Sequence, residues 1–252
     1  SSGFLDGGVN RIIVCSDGDA NVGATSHEDI LELIQEYVDQ GITLSTLGFG
    51  SGNYNDHLME QLADQGNGNY YYIDSIDEAE RLFTEELSGV MEVIAKDVKI
   101  QVEFNSASVL RYRLIGYENR DIDDDQFEND STDAGEIGAG HRVTALYELE
   151  LVQGGSNNLG IVHLRYKMPD GETDIPFDVP VLESDLVSSF SQASDRFRFT
   201  AGVAEYAEII RESPHVQTPL HAVEELIASS LVGSDERDTE LLELIRELQT
   251  IE

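Results

Sequence analysis

Lysine is almost missing from this sequence: Lys96, Lys99 and Lys167 are the only three in 252 residues. With arginine the basic total reaches 15, against 50 acidic residues, for a net charge of −35. So little positive charge excludes nucleic acid and anionic membranes as partners, because both would be repelled. The excess acid has two readings: a solubility adaptation to a salty, halophilic setting where ions screen self-repulsion, or a cationic partner. Acidic residues run along the whole chain, which favours the first. No apolar stretch nears the roughly 18 residues that a membrane span needs. The single cysteine, Cys15, excludes an intrachain disulfide, and within an apolar run it reads as a small core residue. No secretory leader or lipidation motif opens the chain. Residue 1 is Ser rather than Met, so the chain reads as N-terminally truncated. Internal repeats and low-complexity linkers are also lacking.

What is present falls into two parts, 1–92 and 93–252, the second β-rich over 93–182 and helical over 183–252. In the first, Arg11-Ile12-Ile13-Val14-Cys15 is short, apolar and bounded by turn residues, as a strand buried on both faces would be. Ser26 caps a helix whose Ile30, Leu33, Ile34, Tyr37 and Val38 recur at helical spacing, with Gly41 beyond its end. Ile42 to Gly50 reads as a second strand. A short helix carrying Leu58, Met59 and Leu62 follows, then a turn at Gly66-Asn67-Gly68-Asn69 and a third strand, Tyr70 to Ile73. A further helix starts near Ser75-Ile76-Asp77. Strands separated by helices imply right-handed crossovers and a parallel sheet of the doubly wound α/β class. Three such strands are only part of a sheet. The remainder lies outside this chain, or a second subunit covers the open edge.

In the second part, Lys96–Phe104, Val109–Tyr117, Arg142–Val152 and Gly160–Met168 read as strands, with a long acidic loop over Glu118–Gly140. Phe190–Arg211, Leu220–Leu231 and Glu240–Leu248 read as three closing helices.

The chemistry starts at Asp17. It stands just beyond the carboxyl end of the first strand, where ligands of open α/β sheets bind, poised to hold a hard cation or to act as an acid or base. Asp17-x-Asp19-x-Asn21 with Glu28 imitates a calcium loop, but Val22 stands where glycine is needed and a strand precedes it. Asp121 to Asp133 has similar composition with Gln126 at the glycine position, and reads as a solvated acidic loop. The six histidines, 27, 57, 141, 163, 215 and 221, form no metal-binding spacing. Gly48 to Gly52 has no lysine and opens no phosphate loop, and no Gly-x-Ser-x-Gly elbow occurs.

Ile12-Ile13-Val14-Cys15-Ser16-Asp17-Gly18-Asp19-Ala20-Asn21 resembles the fourth-strand signature of von Willebrand factor A (VWA) domains. Gly41 to Gly50 is similar to the next strand of that fold, and Leu58 to Ala63 with Gly66 to Ile73 to the stretch after it. Lys96-Asp97-Val98-Lys99, Ile115 to Arg120 and Asp133 to Gly140 resemble the extension of unassigned function found in one bacterial subgroup. The resemblance implies the C-terminal half of a VWA sheet with a β-rich module and a helical tail, in a non-enzymatic protein-interaction or adhesion module. It also implies magnesium or another divalent cation at a metal-ion-dependent adhesion site, bridging to a partner's acidic side chain. Of the family's three ligand loops only the third matches, at Asp17; no Asp-x-Ser-x-Ser occurs. A lone carboxylate offers a hard cation too few oxygens, so this chain by itself is expected to bind magnesium weakly or not at all. The family points to a cell surface or periplasm. The alternatives are a carboxylate-based metal-dependent hydrolase, disfavoured because no Lys precedes residue 96, and a calcium-binding structural surface protein.

Overall fold

A computed structural model describes residues 4, 10–16, 27–38, 40–49, 56–86, 93–116, 123–129, 132, 134–169, 171, 173–216, 218–233 and 235–251. Two compact units emerge: 1–101 with 122–143 and 163–178, and 102–121 with 144–162 and 179–252.

The first unit begins with a three-stranded parallel sheet in the order β1-β2-β3: β1 (Asn10–Ser16), β2 (Ile42–Phe49) and β3 (Tyr70–Ile73). Helices α1 (His27–Val38), α2 (Asp56–Gln65) and α3 (Ile76–Arg81) connect and cover it. Side chains alternate across a strand. Leu44 of β2 therefore packs with Ile34, Met59 and Leu62 of α1 and α2, while Leu47 faces the opposite way and meets Ile73 and Leu82. A parallel strand covered on both faces is the hallmark of the α/β class. α3 starts where the sequence says it should, because the Ser75 hydroxyl accepts the Glu78 backbone N–H at 3.2 Å.

The α2–β3 turn lies against β2 so closely that only glycine fits. A Cβ on Gly68 would stand 2.0 Å from the Leu44 carbonyl oxygen, and one on Gly66 2.6 Å from the Leu44 Cβ. The close approach lets Leu44 N–H donate to the Gly66 carbonyl and Thr46 N–H to the Asn69 carbonyl, at 2.7 and 3.0 Å.

β1 departs from expectation. Ile12 and Ile13 are each more than a third exposed, and Cys15 is exposed rather than part of a core. Among the described residues β1 pairs with β2 alone, and while Ile12, Ile13 and Cys15 are exposed, Val14 packs against the core of α1, α2 and β2.

The β-rich region contributes β4 (Val93–Phe104), β5 (Val109–Ile115), β6 (Gly135–Gly138), β7 (Leu146–Leu151), β8 (Asn158–Lys167) and β9 (Ile175–Leu182). One sheet runs in the order β6-β4-β8-β9, and β5 pairs antiparallel with β7. Two strands were not expected. β6 forms within the stretch read as an acidic loop, and β9 contains Pro176 and Pro180, residues tolerated only on an edge strand. β7 starts at Leu146, not Arg142, because its partner β5 ends opposite it at Ile115.

The second unit closes with α4 (Asp195–Ile210), α5 (Leu220–Ser229) and α6 (Glu236–Ile251). Their core is Phe199, Leu220, Val223, Ile227, Leu242 and Ile245. α4 starts later than the expected Phe190 because Ser194 supplies the cap, accepting the Phe197 N–H at 3.2 Å. No described helix is long and apolar enough to cross a membrane.

Gly68→Ala should destabilise the first unit by roughly 2–3 kcal/mol, since backbone must move to admit the methyl group. Urea denaturation followed by circular dichroism measures this, and an unshifted midpoint would contradict the close approach.

Candidate functional site

The carboxyl ends of the parallel strands are defined up to Ser16 of β1, which sits opposite Gly48 of β2. Buried polar groups of β2 fix this end. The Thr46 hydroxyl donates to the Met59 carbonyl at 2.8 Å and the Ser45 hydroxyl accepts the Asn69 N–H at 3.1 Å; neither side chain is exposed. Both bonds tie β2 to α2 and its following turn. The Tyr70 hydroxyl hydrogen-bonds the Asp56 carboxylate in the first turn of α2.

Asp17, Asp19 and Asn21 lie outside the described residues, as does the side chain of Glu28. No group of three or more His, Cys, Asp and Glu that could hold a metal exists among the described residues. The described residues therefore do not by themselves fit a divalent cation.

Two charge clusters went unforeseen. The first lies on one face of β4, β8 and β9 in the first unit. Asp174, immediately before β9, is buried, and its carboxylate accepts from Arg165 Nε at 3.0 Å. The ammonium groups of Lys99 and Lys167 stand 3.7 and 4.0 Å from it. Lys99 is fully buried and donates to the Asn129 carbonyl at 2.5 Å, while Lys167 donates to Asp97 at 2.7 Å. Asp97 reaches Lys167 from an irregular stretch of β4, with φ +51° inside the register shift between Ala95 and Val98 against β6. Thus two of the chain's three lysines are consumed in one buried network. The residues over this face come from the segment read as a solvated acidic loop: Asp124 accepts from Gln101 at 2.9 Å, and the Phe127 ring lies 5.9 Å from the Arg165 guanidinium. Asp123, Asp124 and Glu128 are exposed, as a solvated acidic loop has them, and the segment adds one role that reading did not include: its Asn129 carbonyl partners the buried Lys99. Asp121 and Asp133 themselves lie outside the described residues.

The second cluster is in the second unit. Glu208 of α4 is buried and accepts from Arg113 of β5 and from the Ser213 hydroxyl, each at 2.8 Å; Arg211 stands at 3.6 Å. Arg113 also donates to Glu148 of β7. A cleft of about 340 Å³ opens here, lined by residues that include Arg113, Arg211, Ser213 and His215. Burial pushes the Glu208 carboxyl up, but its hydrogen bonds from Ser213 and Arg113 and the charges of Arg113 and Arg211 more than reverse this, leaving it below the ordinary range. Among the histidines, His163 pairs with Asp178 at 2.9 Å and His215 lines the cleft. Neither cluster carries a spacing motif in the sequence. The only hint was the scarcity of lysine, with all three lysines falling in strands β4 and β8.

Residues 5–85 match the von Willebrand factor type A domain. Residues 89–157 and 152–251 match the family described as "Uncharacterized protein YfbK, C-terminal". The uncharacterized protein YfbK of Escherichia coli (strain K12) is 37% identical over 235 residues, covering 86% of this chain and 40% of the relative. The chain therefore spans about two-fifths of the length of the curated relative it matches. Among solved structures, a von Willebrand factor type A protein from Catenulispora acidiphila aligns at 14% identity with TM-score 0.41, over 94% of this chain and 58% of its own. The human COPII-coat protein Sec24c aligns at 10% identity with TM-score 0.41, over 88% and 32% respectively.

Asp174→Ala leaves the buried Lys99, and the half-buried Arg165, without their anion and should cost about 3–5 kcal/mol in unfolding free energy; a loss below about 1 kcal/mol would contradict the network as described. Because Glu208 titrates below its ordinary value of 4.5, its stabilisation is complete above that pH and fades as pH falls through the lowered native value. The stability gap between wild type and Glu208→Gln should accordingly narrow on acidification from about pH 6 towards 3, measured by denaturant titration at each pH.

Proposed function

This chain, a von Willebrand factor type A region followed by the C-terminal region of the uncharacterized protein YfbK, belongs to the YfbK family, and from that premise we propose that it is a non-enzymatic adhesion module working through a divalent cation. VWA domains are protein-interaction modules, so the coarse role follows from the family. The finer reading rests on one observation. β1 is a parallel strand at the edge of its sheet, described up to Ser16, and the next residue in the chain is Asp17. A carboxylate at that end of a parallel sheet is in the position where open α/β sheets bind their ligands.

In this reading Asp17 is an outer ligand of a magnesium site, acting through a bound water and keeping the metal electrophilic, and the direct donors lie outside the described residues. A partner's acidic side chain would complete the coordination. Hard divalent cations take about six oxygen ligands, which accounts for the expectation that the chain alone binds weakly. The neighbouring described elements serve as scaffold: the buried Ser45 and Thr46 bonds hold β2, and β2 in turn holds β1 in register along seven residues.

Isothermal titration of the full-length protein with magnesium tests this. Binding should be measurable in the wild type and weakened at least about tenfold by Asp17→Ala, the scale on which loss of an outer-shell partner acts. Affinity unaffected by the substitution would count against the proposal.

A further inference from the structure

One buried oxygen of the first unit lacks a partner. Asp174 Oδ1 is sealed from water and accepts no hydrogen bond among the described residues. Buried polar atoms are nearly always satisfied, so each exception asks for a reason. The other oxygen of the same carboxyl group is placed differently. Oδ2 accepts from Arg165 Nε at 3.0 Å, and Lys99 Nζ stands 3.7 Å from it, beyond hydrogen-bond distance. Lys99 Nζ donates instead to the Asn129 carbonyl at 2.5 Å. The side chains of Lys99 and Asp174 are 0% and 1% exposed. An amine and a carboxyl group are thus enclosed side by side, and as ions each carries the cost of its burial.

We propose that Lys99 and Asp174 condense into an intramolecular amide, an isopeptide cross-link between β4 and the residue that precedes β9. A bond forms between Lys99 Nζ and Asp174 Cγ, and the bond between Cγ and Oδ1 breaks. Two of the three ammonium protons leave with Oδ1 as water, and the third stays as the amide N–H. One cation and one anion become a neutral amide and a water, so no oxidant or co-reactant is required. The partners of the product are already in place. The Asn129 carbonyl accepts the amide N–H, Arg165 donates to Oδ2 as the amide oxygen, and the atom that departs is the one without a partner. Arg165 also stabilises the negative charge that gathers on Oδ2 as the amine adds. Lys167, 4.0 Å from Oδ1 and hydrogen-bonded to Asp97, is the acid beside the leaving oxygen, and the proton it gives is replaced from Lys99. The 3.7 Å separation is close to the roughly 3–3.5 Å at which positioned groups react, and the exclusion of water slows the reverse hydrolysis. The product also removes a buried pair of charges. None of this involves Asp17, so the cross-link and the metal site stand or fall separately.

Peptide mapping of the full-length protein tests this. After purification in the folded state, the protein is denatured and digested with trypsin, which cuts after Lys and Arg. A linked Lys99 resists cleavage. Mass spectrometry should then find residues 97–111 joined to residues 168–196, at the sum of the two peptide masses less one water. Fragmentation should place the link at Lys99 and Asp174. Lys99→Arg and Asp174→Ala should each abolish the branched species and release the two regions separately. The wild-type result decides the matter alone if either variant fails to fold. A folded wild-type protein cleaved after Lys99, with peptides 100–111 and 168–196 recovered unlinked, would overturn the proposal, as would a link placed at any other pair of residues.

Discussion

One buried carboxylate organises the first β-rich face. Asp174 draws Arg165, Lys99 and Lys167 together, and those cations in turn engage Asp97 and the Asn129 carbonyl. In a chain with 15 basic residues, committing three of them to one interior cluster is a large share. The physical constraint is that a charge taken out of water must be answered nearby. The 123–129 segment and the irregular stretch of β4 at Asp97 both take their form from that requirement.

The parallel sheet rests on a different constraint, close approach. β2 is the central strand, packed by α1 and α2 on one face and by Ile73 and Leu82 on the other. Gly66 and Gly68 let the α2–β3 turn come within van der Waals range of Leu44. β1 benefits from this only through its pairing with β2. Its outer edge has no described partner strand, and its exposed Ile12, Ile13 and Cys15 follow from that position.

Much of the α/β part could be read directly. The third strand was expected at Tyr70 to Ile73 and lies there, and the helix expected to start near Ser75 is capped by its hydroxyl; the cap at Ser194 was not foreseen, and α4 starts there instead of at the expected Phe190. Local signals sufficed because periodicity and capping are local physics. The β-rich part was less legible. β9 escaped notice because its prolines argue against a strand unless it lies at an edge, and edge position is a property of the sheet. β6 was hidden in an acidic stretch, since its pairing with β4 gives no periodic signal over four residues. The reading of Cys15 as a core residue failed for the same reason: burial of a strand depends on how many neighbours it has. Of the candidate site, Asp17 was named from its place after an apolar strand, and it lies outside the described residues.

By itself the sequence determined what depends on neighbours along the chain. Those are the alternation of strands and helices through Ile73, the three closing helices, the glycine turn, the shortage of positive charge and the carboxylate following the first strand. Tertiary structure alone decided which strand is central and which is an edge, and which lysines are buried. The reason is range. Helix period and capping act over three or four residues, whereas Lys167 and Asp97 are 70 positions apart and Arg113 and Glu208 are 95 apart. Contacts at such separations leave no local pattern and are selected only when the whole chain closes on itself.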